Sequence, residues 1–473
     1  MKYIFFFILL GVSNRVWVQT INISEQVTLR NEISYEIIGA FSGNTLLFRN
    51  KSISFEIDAF NESLKKIWTK EIALEKRQPQ VISLAKTPTD FSVYYQHKSP
   101  QGTVLKGHKY NGRADLIDTV TLKVFENLFY NTDFQFVQSE DANIQLFYFL
   151  EKQNQFYFIA VDNQNMKVLW EQVIAIEEFS KNRDFYQILI DNQGVLFVNI
   201  ELDNFRMKKT SHVFQFYKFD YTNGDFLKAE LLFKDILSTD VQFVLDNLNG
   251  NLLGAGFYSD NSTARSQGFF TIHIPKGFHT EPKAAFQSFS PEFQVNLMGD
   301  KNDGEKGLFD CKISEIAIKE NGGMLIIGER YSEIERRISN AGRFGGGGLN
   351  RLIIDYFYDD LFILSMNKNA TLEWTEIFHK KQYSQDDGAA YSSYFLYKTP
   401  EKLRFLFNDD IKMENTISEY VLSGYGDFDR NSILSTENLK LRLRFRNAVQ
   451  IAYDKIIIPS ERRNELKLVR MNY

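Results

Sequence analysis

Three pairs of adjacent aspartates, Asp359/Asp360, Asp386/Asp387 and Asp409/Asp410, fall within one short part of the chain. Brought to a common rim, such carboxylates would suit a hard cation such as calcium, which prefers oxygen ligands. The central pair lies in KKQYSQDDGAAYSS (380–393), whose Gln382 and Ser384, with Asn408 beyond, add groups able to hold a polar partner. Lys381, Gln382, Ser384, Asp386, Asp387, Asn408 and Asp409 are therefore the candidate partner-binding residues. The competing reading is local: turn aspartates accept backbone N–H bonds and serines satisfy loop carbonyls, which is their commoner role. No catalytic residue, metal ligand set or cofactor is assigned.

Other reactive side chains form no recognisable constellation. The histidines at 97, 108, 212, 273, 279 and 379 lack paired-ligand spacing, and no Gly-x-Ser-x-Gly elbow occurs. Cys311, in LFDCKIS, alternates as a buried strand thiol would. In RYSEIERRISNAGRFGGGGLNRLIIDYFYDD (330–360) the glycines precede neither Lys-Ser nor Lys-Thr, so a phosphate-cradling loop is not indicated. Its five arginines would suit an acidic partner, against the ordinary reading of a solvated Gly-rich loop.

The first residues, MKYIFFFILLGVSNRVWVQT, set one Lys before an apolar run too short to span a bilayer in helical form. That is the layout of a secretory signal peptide, with cleavage expected after residue 18 and a secreted or periplasmic product. Removing Lys2 and Arg15 takes the formal charge from −5 to −7. Mixed charge of that sign argues against a nucleic-acid partner. No later stretch reads as a transmembrane helix, and a monomer is expected. A single cysteine leaves no intrachain disulfide, so the core must come from size.

These groups must be positioned by strands. Aromatics form 15% of the chain, with 43 Phe and 23 Tyr against 8 Pro, which is strand composition. Short alternating runs, such as Phe91–Gln96, Gln145–Leu150, Val213–Phe219 and Leu403–Phe407, are separated by turn signals such as TNGD and KENGG. Three segments superimpose: FEIDAFNESLKKIWTKEI (55–72), FIAVDNQNMKVLWEQVI (158–174) and FILSMNKNATLEWTEIF (362–378). Each carries an apolar strand, a turn opened by Asn61, Asn163 or Asn367, and a Trp at 68, 170 or 374 expected to be buried between sheets.

VDNQNMKVLWEQ (161–172) resembles the Asp-x-x-Thr-Gly-x-x-x-Trp segment of quinoprotein-type β-propeller blades, with Asn165 and Met166 in the Thr-Gly positions. The resemblance implies the fold and an interblade place for Trp170, without a quinone cofactor. YFYDDLFILSMNKNATLEW, KKQYSQDDGAAYSSY and FLFNDDIK together are similar to a set of uncharacterised secreted propeller-like proteins, which again implies fold and no chemistry.

The expectation is an all-β protein, a β-propeller of four-stranded blades over residues 19–473. The separation of Trp68 and Trp170 fits two blades of about 51 residues, near the usual propeller period. Eight blades follow, or seven if the first group is read differently, with an insertion at about 330–358. The last group, NAVQIAYD, KIIIPSE and ELKLVRM, is one strand short. EQVTLRNEI (25–33) is expected to supply it, so that N- and C-terminal strands close the ring and no sheet edge is left open. The functional expectation is a non-enzymatic scaffold binding a protein or glycan. The alternative is a propeller hydrolase or lyase acting on polysaccharide or peptide.

Overall fold

The computed structural model describes residues 19–473 apart from 52–53, 76–78, 127–131, 203–210, 261–263, 279, 300–305, 340–349, 410, 412–415 and 437–438. The expected leader, His279, Asp410 and the Gly-rich stretch with Arg343 lie outside the described residues.

Eight antiparallel sheets succeed one another along the chain. Blades 1 to 7 cover 32–72, 80–125, 135–175, 185–234, 237–288, 311–378 and 395–435, each with its four main strands paired in sequence order. Blade 8 joins Val449–Ala452, Lys455–Arg462 and Glu465–Asn472 to Thr20–Ile23. The first strands of blades 8, 1, 2, 3, 4, 5 and 6 touch in turn around the axis. Inner strands of a blade are covered on both faces, which is why Leu361, Phe362, Ile363 and Leu364 follow one another without a polar break and are all fully buried. Outermost strands alternate instead, as in DFLKAELLFK (Asp225–Lys234) with one face in water.

Eight apolar clusters hold the ring, one at each junction between neighbouring blades. The cluster joining blades 8 and 1 contains Val27, Ile37, Leu47, Phe60, Ile457 and Leu468. A closed ring of eight is therefore the architecture, which settles the count against seven. Among the described residues no helix is long and apolar enough to cross a membrane; the one α-helix, Pro291–Met298, lies between blades 5 and 6.

Three expectations need correction. Closure uses the chain ends, but the added strand is Thr20–Ile23, paired with Val469–Asn472, followed by Val27–Thr28 against Glu465–Leu466. Ser24 breaks the run: Leu468 N donates to its hydroxyl at 2.8 Å, and the chain then turns at Asn31 with φ 61°. Glu32–Phe41 consequently opens blade 1. Second, Asn61 and Asn367 do open their turns, each accepting two backbone N–H bonds, whereas Asp162, not Asn163, accepts the N–H of Gln164. Asn163 is buried and accepts the hydroxyl of Tyr94. Third, only Trp170 is enclosed; its Nε1 donates to Gly194 O of the next blade at 2.9 Å. Trp68 and Trp374 pack against their interblade clusters while staying half-buried, although all three indoles stand on the outermost main strands of their blades.

Candidate functional site

In an antiparallel meander alternate connections share one end of the sheet. Hairpins between second and third strands therefore lie on the same propeller face as the blade-to-blade crossovers. In blade 6 this hairpin is elongated, with strands Met324–Ser339 and Asn350–Met366 running far beyond the sheet. The crossover that follows returns to it: Gln382–Gln385 pairs antiparallel with Asp355–Tyr358, whose other edge pairs with Tyr331–Ile334. A three-stranded platform results, raised above the rim.

Beneath it lies Lys380, whose side chain has no solvent exposure. Its ammonium donates to Tyr358 O at 3.0 Å and Gln382 Oε1 at 3.1 Å, and lies 2.7 Å from Glu329 Oε1. Burial pushes the Lys380 ammonium below its ordinary range, and the Glu329 charge opposes that shift. The Ser393 hydroxyl donates to the other Glu329 oxygen at 2.7 Å. Gln382 donates to Asn408 O at 2.7 Å and accepts from Ser393 N at 2.8 Å. Asn408 in turn donates to Tyr391 O and Leu443 O, each at 2.9 Å. Blade 6, blade 7 and the crossover into blade 8 are thus joined by one polar network.

The expected site residues divide accordingly. Gln382, Ser384 and Asn408 are buried, while Lys381 and Asp386 are exposed and Asp387 and Asp409 are half-buried. The segments 358–360, 380–393 and 407–409 do share a face, as the Asp360 to Lys380 N bond at 3.2 Å and the Gln382 to Asn408 bond show. Their aspartates serve separate duties. Asp387 accepts from Ser384 Oγ at 2.8 Å and Ala389 N at 3.0 Å, Asp386 from Ile354 N at 2.9 Å, and Asp409 pairs with Arg430 at 2.7 Å. Among the described residues no three His, Cys, Asp or Glu side chains gather as a metal site. On the platform, Arg336 first, then the Tyr383 hydroxyl and the Gln385 amide hold the Asp355 carboxyl well below the usual carboxylate range.

Sequence reasoning missed LRLRFR (441–446) on the crossover into blade 8, although its period-two alternation was available. Leu441, Leu443 and Phe445 point inward and are buried. The three arginines point out along the same rim. Arg442 lies 3.8 Å over the Tyr391 ring and 3.6 Å from Asp387, Arg444 pairs with Glu461 and donates to the Tyr35 hydroxyl at 3.1 Å, and Arg446 lies 4.7 Å over Tyr358.

The opposite face opens into an axial cavity of about 620 Å³, walled by the first strands of blades 4, 5 and 6 and the turn 399–402. Exposed edges of the inner strands are satisfied by glutamines: Gln187 bonds both N and O of Phe243, Gln242 bonds Ile313 O, and Gln450 bonds Lys398 O. Two of its carboxylates are engaged, Glu140 by Asn247 at 2.8 Å and Glu315 by Lys398 at 2.7 Å.

No protein-family model matches the chain, and no curated protein matches it in sequence. Among solved structures it is similar to dipeptidyl peptidase 4 of Porphyromonas gingivalis at 9% identity, covering 91% of this chain and 56% of that one with a TM-score of 0.45. It is also similar to Sqt1 of Saccharomyces cerevisiae at 9% identity, 94% and 99% coverage and a TM-score of 0.41. The β-propeller domain of the Trilobed protease from Pyrococcus furiosus shows 9% identity, 84% and 95% coverage and a TM-score of 0.34. At such values the likeness decides nothing about activity; the fold rests on the strand pairing itself.

Proposed function

We propose that the protein is a non-enzymatic propeller, exported to the periplasm or the cell exterior, that binds a protein or glycan partner on the face carrying the blade 6 platform. The observation that carries this reading is the division of labour within 380–393. Lys380, Gln382, Ser384 and Ser393 face inward and hold the platform rigid, leaving Lys381, Gln385 and Asp386 exposed on a pre-ordered surface. A rigid surface loses little conformational freedom on binding, which favours a docking role.

The test is a Lys381→Glu variant, compared with wild type for partner recovered after chemical crosslinking in the native source. Loss of one specific partner with an unchanged melting temperature is the expected result. Identical crosslinked products from both proteins would refute the assignment of the face. Mass measurement of the mature chain tests export, with Gln19 expected at its start.

A further inference from the structure

A second cavity, of about 640 Å³, opens on the platform face at the seam between blades 8 and 1. Its walls are the crossover Leu29–Tyr35, the hairpin tip at Arg463 and Asn464, and Arg444 and Asn447 from the crossover into blade 8. Leu29 N donates to Asn464 O at 2.8 Å, so the cavity is built jointly by the two ends of the chain.

Its charges are unevenly committed. Of the two carboxylates in the lining, Glu32 is paired with Arg49, and Glu461 is held by Arg444 and by the Tyr35 hydroxyl at 2.8 Å. Arg30 and Arg463 are exposed at the mouth, and neither makes a side-chain hydrogen bond or ion pair within the described residues. The carboxamides of Asn31, Asn447 and Asn464 are equally uncommitted among the described residues. Ile33 adds a 70% exposed apolar side chain.

We propose that this cavity binds an oligosaccharide bearing carboxylates, such as a uronic acid chain; this rests on the reading of the same face as the binding face and names its ligand class. Two uncommitted guanidiniums offer the planar donor fork that matches a carboxylate. Carboxamides both donate and accept, which suits sugar hydroxyls that do the same. Ile33 supplies an apolar surface for the C–H face of a ring. The volume is of the order that accommodates a small ligand of a few rings.

The experiment titrates the full chain with tri-galacturonate, with its neutral galactose counterpart and with a tripeptide carrying a free carboxyl end. Tri-galacturonate is expected to bind, to raise the melting temperature because it clamps both chain ends, and to weaken with salt. Arg30→Ser/Arg463→Ser should bind it at least about tenfold more weakly while melting like wild type without ligand. Lys381→Glu, away from the cavity lining, should bind it normally. Equal binding of the neutral sugar, preference for the tripeptide, unaltered affinity in the arginine variant, or no binding at all each overturns the proposal. If the cavity fails while the platform still captures its partner, the face stands without this ligand; if both fail, the face itself is wrong.

Discussion

Lys380 and Glu329 stand 2.7 Å apart with side-chain exposures of 0% and 5%, an ion pair sealed under the blade 6 platform. Such a pair is a weak source of net stability, because both charges were taken out of water to form it. Removing one partner is different, since the other charge is left buried and unpaired.

Lys380→Met should therefore cost about 3 to 5 kcal/mol in denaturant unfolding, and Lys380→Met/Glu329→Met distinctly less than the two single losses combined. Additive losses would show that the two side chains act independently. Proteolytic susceptibility of 380–393 should rise in the single variant, because Gln382 and Tyr358 lose a common donor.

That network also marks where sequence reasoning reaches its limit. The blades were legible because doubly covered strands such as Leu361–Leu364 are apolar throughout and the Trp spacing repeats with the blade. The loop 380–393 reads either as a partner-binding rim or as turn capping because a polar side chain satisfied by a partner or water and one satisfied by protein have the same letter. Whether Gln382 meets solvent or Asn408 O depends on a neighbouring blade, and no local pattern carries that. The closing strand was misplaced for a related reason. EQVTLRNEI alternates well enough, but a turn at Asn31 divides it between blade 8 and blade 1.

Asp240, on the first strand of blade 5, accepts the backbone N–H of Ile313 in blade 6 at 2.6 Å. Burial pushes its carboxyl up to about 6, and the Ile313 N–H and Lys312 only partly oppose that. A raised folded-state value means the native chain holds the proton more tightly than the unfolded chain. The associated stability is full below the ordinary value near 4 and is lost as pH climbs through about 6, by on the order of 3 kcal/mol. Asp240→Asn lacks this loss. Its stability relative to wild type should improve between pH 4 and pH 7, and a difference that stays flat with pH would contradict the assignment.

Trp170→Ala should cost about 3 to 5 kcal/mol, since the indole is enclosed between blades 3 and 4 and its loss leaves Gly194 O without that donor. Trp68→Ala should cost clearly less because that indole is only partly buried. Equal losses, measured by urea denaturation, would mean that enclosure of the indole does not govern the contribution.

Deletion of residues 19–28 tests closure most directly. The segment supplies the outermost strand of blade 8, places Val27 in the cluster shared with blade 1, and through Ser24 pairs with Leu468. Without it, Glu465–Asn472 becomes an open edge, the junction of first and last blades loses Val27 at about 1.5 to 3 kcal/mol, and the junction of blades 7 and 8 loses the partly buried Ile21 and Ile23. Because every blade leans on two neighbours, that loss is felt by the whole ring. The deleted chain should unfold in one transition at markedly lower denaturant, with self-association through the open edge. A midpoint unchanged from wild type, or a separate early transition confined to blade 8, would show that the ring does not depend on its seam.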